Sequence, residues 1–241
     1  MNPPRPATVT DEMLEDCLQA LQRLAQEGRP ARPRDVAVFA RLSDATTAAA
    51  LELLATRGLL RRAGDGDLVL TREGSRQAVG VLRRHRLSER LFTDILGLPW
   101  DRAHEEAMRM EHDITPDGES RLAKLLDNPE TCPHGAPIPS TDGAIPAPKL
   151  RPLDGVPAGG RVWIQQIANE EGEFLHHLAS LGLLPGTELR VEEHAPFGGP
   201  LLIRVGGAQY AVGREVASRI LVRDTAAERG GPRRARRRRG A

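Results

Sequence analysis

A chain of 241 residues has room for one to three small domains. Its formal net charge of +1 is unevenly spread, because the last thirteen residues, RGGPRRARRRRGA, hold seven arginines and no acid, leaving 27 basic against 33 acidic residues elsewhere. Two distant cysteines, Cys17 and Cys132, exclude a disulfide framework, and the absence of a long apolar run or an apolar leader in MNPPRPATVT argues against a membrane span or a signal peptide, so a reducing cytoplasm is expected.

In chain order, residues 1–9 read as a leader. Thr10 or Asp11 can cap a helix running to about Glu27, with Gly28 as its stop and Leu14, Leu18, Leu21 and Leu24 as its apolar face. Two more helices are expected over Pro33–Leu42 and Thr46–Arg57, joined through Ser43 and Asp44. The segment LLRRAGDGDLVLT then reads as a hairpin around Gly64-Asp65-Gly66. Three helices followed by a hairpin is the plan of a winged helix-turn-helix, expected over residues 1–74.

A long helix from Arg72 to about Leu96, another over Pro99–Glu111 and a short one over Ser120–Leu126 place a helical domain at 75–127. Residues 128–160 are rich in proline and glycine and read as a linker. RVWIQQI, TELRVEEH, LLIRVGG and QYAVG, with one helix between the first two, suggest a small β-barrel over 161–224. The Arg-rich tail, 225–241, is read as solvated or as a source of nonspecific affinity for nucleic acid. Few aromatics argue against a stacking platform for single strands.

The segment VLRRHRLSERLFTDILGLPWDRAHEEAMRMEH carries the chemistry. His85 and Glu89 lie four apart on one helix face, and His104, Met108, Glu111 and His112 form a second stripe. A single such pair is usually a solvated helix face, and a single methionine is usually core. Two stripes of imidazole, carboxylate and thioether in one helical hairpin instead suit a first-row divalent metal.

RRHRLSERLFTDILGL followed by HEEAxRxEH resembles the diphtheria toxin repressor family of metal-dependent transcriptional repressors, and the resemblance covers nearly the whole chain. LASLGLLPGTELRV is similar to the SH3-like domain that ends many members and occurs in the ferrous-transport accessory protein A. The fold class implied is mainly α with a small β part: an N-terminal winged helix-turn-helix, a helical metal-binding and dimerisation domain, and a C-terminal SH3-like β-barrel. The resemblance implies two metal sites per chain, for Fe(II) or Mn(II). A regulatory site falls on Asp16, Met108, Glu111 and His112, and an ancillary site on His85, Glu89 and His104, with Glu170 and Glu173 added from NEEGEF.

Two positions depart from the iron-type pattern. Asp16 stands where manganese-responsive members also carry aspartate, and Met108 stands where iron-responsive members carry cysteine and manganese-responsive ones glutamate. Sulfur beside hard oxygen leans towards iron. The expected DNA-reading residues are Ser43, Ala45, Thr46, Ala48 and Ala49, with Arg34, Arg41, Arg57, Arg61 and Arg62 for phosphates. Alanines offer only methyl contact to thymine, which thins the direct readout.

The function implied is a dimeric repressor that binds a palindromic double-stranded operator when metal-loaded, and no enzyme. The alternatives are a manganese-responsive repressor of the same family, a metal-sensing protein with degenerate DNA binding, and, more remotely, a metal-dependent hydrolase. For the hydrolase no HExxH and no nucleophile are found.

Overall fold

The computed structural model describes residues 9–64 and 66–224, so the expectations for the leader and the Arg-rich tail lie outside the described residues. The chain divides into two compact units: residues up to Pro133 with Pro137–Ala147, and His134–Ala136 with Pro148 onwards.

The first unit is helical. Helix α1 (Asp11–Gln26) starts where the Thr10 hydroxyl accepts the Met13 N–H at 3.3 Å, which satisfies one of the free donors of its first turn. Its buried Leu14, Leu18, Leu21 and Leu24 join α2 (Pro33–Ala40) and α3 (Asp44–Thr56) in one core through Val36, Ala40, Ala50, Leu51 and Leu54. The α2–α3 turn is made by Arg41 in the left-handed region at φ 53°, a conformation a side chain enters only at some cost. Ser43 caps α3 by accepting the Thr46 N–H.

Strands β1 (Leu60–Arg62) and β2 (Leu68–Leu70) form the expected antiparallel hairpin. Thr71 then caps α4 (Arg72–Arg90), whose Gly74 backs onto the Leu59 carbonyl so closely that a Cβ would lie 2.0 Å from its oxygen. The long helix expected to reach Leu96 changes character after Arg90, and Leu91–Ile95 form a π-helical turn. Helix α5 (Trp100–Met110) runs into a 3₁₀ turn, Glu111–Asp113. Helix α6 (Pro116–Leu125) begins four residues earlier than expected, because Thr115 caps it and Pro116 suits its first position.

The segment expected as a linker is divided between the units. Its residues 137–147 belong to the first, where Ile138 is buried with Leu87, Leu122 and Ala123 and the Pro137 and Pro139 carbonyls accept from Arg86 and Arg83. Proline-rich backbone that lacks its own donors can still be fixed by arginine side chains.

The second unit is a six-stranded antiparallel sheet in the order β3-β8-β4-β5-β6-β7. Its strands are β3 (Arg151–Pro152), β4 (Arg161–Ile167), β5 (Glu188–His194), β6 (Leu201–Val205), β7 (Ala208–Val212) and β8 (Ile220–Asp224). Helix α7 (Gly172–Ser180) follows β4, and α8 (Arg214–Ser218) links β7 to β8. Val162 and Ile164 are buried in alternation, and the register shift at Gln165 moves the next buried residue to Ile167. Among the described residues β3 and β7 are unjoined edges, so the expected closed barrel is an open sheet order.

Candidate metal centre

Helix α4 places His85 and Glu89 one turn apart, and α5 brings His104 against them. His85 Nε2 lies 3.0 Å from Glu89 Oε1 and 3.0 Å from His104 Nδ1, and His104 Nδ1 lies 3.3 Å from Glu89 Oε1. The two rings meet edge to face, and all three side chains are buried.

The second cluster spans the unit. Asp16 comes from α1, and Glu111 and His112 come from the turn after α5. One ligand atom from each lies within 4.8 Å of the others. Asp16 Oδ1 is sealed from solvent, and the His112 ring lies beside it with Nε2 at 3.2 Å. Met108 stands half-buried on α5 one turn after His104.

The two clusters touch. His85 Nδ1 donates to Glu111 Oε2, while its Nε2 faces Glu89 and His104. Three residues absent from the sequence reading surround this junction. Gln19 Nε2 donates to Glu111 Oε1 at 3.0 Å. Arg84 Nε donates to the Glu111 carbonyl at 2.8 Å, and its Nη2 to Glu15 Oε2 at 2.9 Å. Glu15 Oε2 in turn accepts from His112 Nδ1 at 2.8 Å, which leaves Nε2 turned to Asp16. The available signal was the helical spacing of Glu15, Asp16 and Gln19, a polar strip beside the leucine face of α1.

Burial opposes charge on His85, but the Glu111 and Glu89 carboxylates outweigh it and raise its pKa to about 9. For His112, burial is again outweighed, by hydrogen bonds to Asp16 and Glu15, and the ring titrates at about 10. Burial opposes charge on Glu15 too, and its bonds with His112 and Arg84 still hold its carboxyl below the usual range. In the metal-free protein two imidazolium groups therefore balance buried carboxylates that would otherwise be costly. The donor sets fit a divalent cation: each cluster offers imidazole nitrogen and carboxylate oxygen, and the protonated rings mark where positive charge is favoured. His85, Glu89 and His104 would hold one ion, and Asp16, Glu111 and His112 another.

Glu170 and Glu173 belong to the second unit. Glu170 precedes α7 with its Oε1 3.9 Å from Nδ1 of the buried His134, and Glu173 lies in the helix's first turn. His134 was also missed, since it sits in the stretch read as linker.

Arg34, Arg61 and Arg62 are exposed. Arg41 lies 3.8 Å from Glu105, and Arg57 pairs with Asp11 at 3.1 Å. The Ser43 hydroxyl is engaged in capping and shares a hydrogen bond with Thr46 at 2.8 Å. On α3, Ala45 and Ala48 are exposed and Ala49 is half-buried.

Residues 71–140 match the family described as iron dependent repressor, metal binding and dimerisation domain, and residues 151–224 match the FeoA domain. The iron-dependent repressor IdeR of Mycobacterium tuberculosis is 36% identical over 218 residues, covering 85% of this chain and 94% of that protein. The diphtheria toxin repressor of Corynebacterium diphtheriae is 32% identical over 187 residues, covering 72% and 81%. A solved manganese-dependent transcriptional repressor in complex with manganese has TM-score 0.82 at 30% identity and covers 88% of this chain and 99% of its own. IdeR of T. acidophilum has TM-score 0.74 at 27% identity, with 90% and 99% covered. These relatives are named as regulators, not enzymes, and the remote hydrolase reading gains nothing from them. With more than two thirds of its length aligned at over 30% identity, the chain belongs to the family of iron-dependent repressors that includes IdeR and the diphtheria toxin repressor.

Proposed function

We propose that the protein is a metal-activated transcriptional repressor that binds a palindromic operator as a homodimer, carrying Fe(II) or Mn(II) at two sites per chain. The observation that carries this reading is the meeting of Asp16 on α1 with Glu111 and His112 after α5. A cation shared by these residues ties α1 to the end of α5. Because α1 packs on α2 and α3, the same cation restrains the surface proposed to read DNA. Metal then favours one arrangement of that surface by its greater affinity for it, and DNA favours metal by the same factor.

In this proposal α1–α3 and the β1–β2 hairpin act as a winged helix-turn-helix, with α3 in the major groove and Arg34, Arg41, Arg57, Arg61 and Arg62 on phosphates. The second unit acts as an SH3-like domain. The roles of Glu170 and Glu173 as ligands follow the resemblance. Access to an operator implies a cytoplasmic protein, in keeping with the lack, among the described residues, of any helix long and apolar enough to cross a membrane. Met108 favours Fe(II) over Mn(II) through its sulfur.

The test is footprinting of the DNA upstream of metal-uptake genes with Fe(II), Mn(II) or chelator. Protection of paired half-sites only with metal is expected, and equal protection under chelator overturns the reading. A second reading, a metal sensor that has lost sequence-specific DNA binding, is favoured by one observation. Ala45 and Ala48 place only methyl groups on the exposed side of α3, which leaves few hydrogen-bond donors for base edges, and Ser43 is engaged in the helix cap. Metal uptake without protection of any sequence would select it.

A further inference from the structure

We propose that Gln19 is a positioning residue of the regulatory centre, orienting the Glu111 carboxylate without itself being a ligand. The inference rests on the metal-dependent reading above. Gln19 lies on the buried face of α1 between Leu18 and Ala20 and is 5% exposed. A buried amide needs a partner, and the one Gln19 meets is Glu111 Oε1, 92 residues away.

Glu111 is wholly buried, and both its oxygens are engaged. Oε1 accepts from Gln19 on α1 and Oε2 from His85 on α4. Rotation about the last side-chain torsion of Glu111 breaks both bonds at once. Its main chain is restrained separately, by Arg84 on the carbonyl oxygen. Each carboxylate oxygen has two lone pairs, so the bond from Gln19 leaves Oε1 able to face a cation beside Asp16 and His112.

The residue type matters for charge. A carboxylate at position 19 would face Glu111 Oε1 with like charge, and an ammonium would compete with the cation. An amide donates and adds no charge. Gln19 also follows Asp16 by three residues, so one face of α1 supplies both a ligand and the group that aims a second ligand. Outer partners of this kind typically hold about 10–100-fold of metal affinity.

The experiment uses the full chain with Gln19→Met, which keeps length and shape but removes the donor, and Gln19→Asn, which retracts the donor by one methylene. Leu21→Val is the control, a buried core residue of the same helix away from the ligands. Anaerobic Co(II) titration, read by its visible absorption, reports affinity and ligand geometry, and melting of the metal-free protein reports fold. We expect both Gln19 variants to lose about 10–100-fold in affinity at one site, with an altered Co(II) band. Leu21→Val should melt lower and keep wild-type affinity and band. Wild-type affinity and spectrum in both Gln19 variants overturn the inference alone. An equal loss of affinity in Leu21→Val also overturns it, since the role is then merely structural. A wild-type chain that takes up no metal overturns the function reading and this inference with it.

Discussion

The two ligand clusters of the first unit differ in how they are built. His85, Glu89 and His104 come from two helices adjacent in the chain, and all three are buried. Asp16, Glu111 and His112 join the first helix of the unit to the turn after its fifth, and Asp16 and His112 are only partly buried. The first is a local product of helical spacing, whereas the second exists only once α1 has docked. A cation in the first can hold α4 to α5, while a cation in the second holds α1, and through it α2 and α3. Only the long-range cluster is therefore placed to transmit metal binding to the surface proposed to read DNA.

Breaking the shared point should have the largest effect. Glu111 supplies one oxygen to His85 and is a ligand candidate with Asp16 and His112. Glu111→Ala should abolish metal-activated DNA binding and lower metal affinity by more than the ~10–100-fold typical of an outer partner. Gel-shift titration and direct metal titration of the same protein check both halves. Retained activation would remove Glu111 from the centre.

Comparing His85→Ala with His104→Ala sharpens the contrast. The sequence reading places both in one ancillary site and sets no difference between them. The His85–Glu111 bond changes that expectation for His85 alone. His104→Ala should weaken only the local cluster. His85→Ala should weaken that cluster and also cost the long-range one about tenfold or more, as loss of an outer partner does. Site-resolved Co(II) spectra separate the two. Identical behaviour of both variants at the long-range cluster would mean the bond carries no coupling.

pH should act on both clusters with the same sign. His85 and His112 titrate at about 9 and about 10, raised from their ordinary value of 6.5. Metal must displace these protons, so apparent affinity should rise by up to about tenfold per pH unit for each proton released, flattening above those values. Without metal the sign reverses: the stability contributed by these imidazolium groups is fully present below 6.5 and is lost as pH rises through about 9 to about 10. Calorimetric titration in two buffers of different ionisation enthalpy counts the protons. Affinity independent of pH between 6 and 8 would contradict the raised values.

The smallest expected effect concerns metal choice at the long-range cluster. Met108→Glu replaces a soft neutral sulfur by a hard anionic oxygen and should shift activation towards Mn(II). Met108→Cys should shift it towards Fe(II). Anaerobic titrations of DNA binding with both ions measure the shift. A wild-type protein already activated at lower free Mn(II) than Fe(II) would make Asp16 the residue that sets preference.

The sequence by itself determined the local order of the fold. Thr10 is a readable cap, and the leucine spacing of α1 and the His85–Glu89 spacing of α4 follow one period, so these helices were legible; the start of α6 at Thr115 was not, and Glu111 and His112 leave the helical period in a 3₁₀ turn. Legible too were the His85–Glu89 pair and, through family resemblance, Asp16 and His112. The tertiary structure decided what periodicity cannot express. It showed that residues 137–147 belong to the first unit, because their fixing donors are arginines about fifty residues earlier. Among the described residues it gave an open sheet order in place of the expected barrel. It joined two clusters that look separate in the chain through His85 and Glu111, and it brought Gln19, Glu15 and Arg84 around them. Spacing along a helix defines a face, but which faces meet is decided by how helices dock, and the hydrogen bonds of buried polar groups are formed only then.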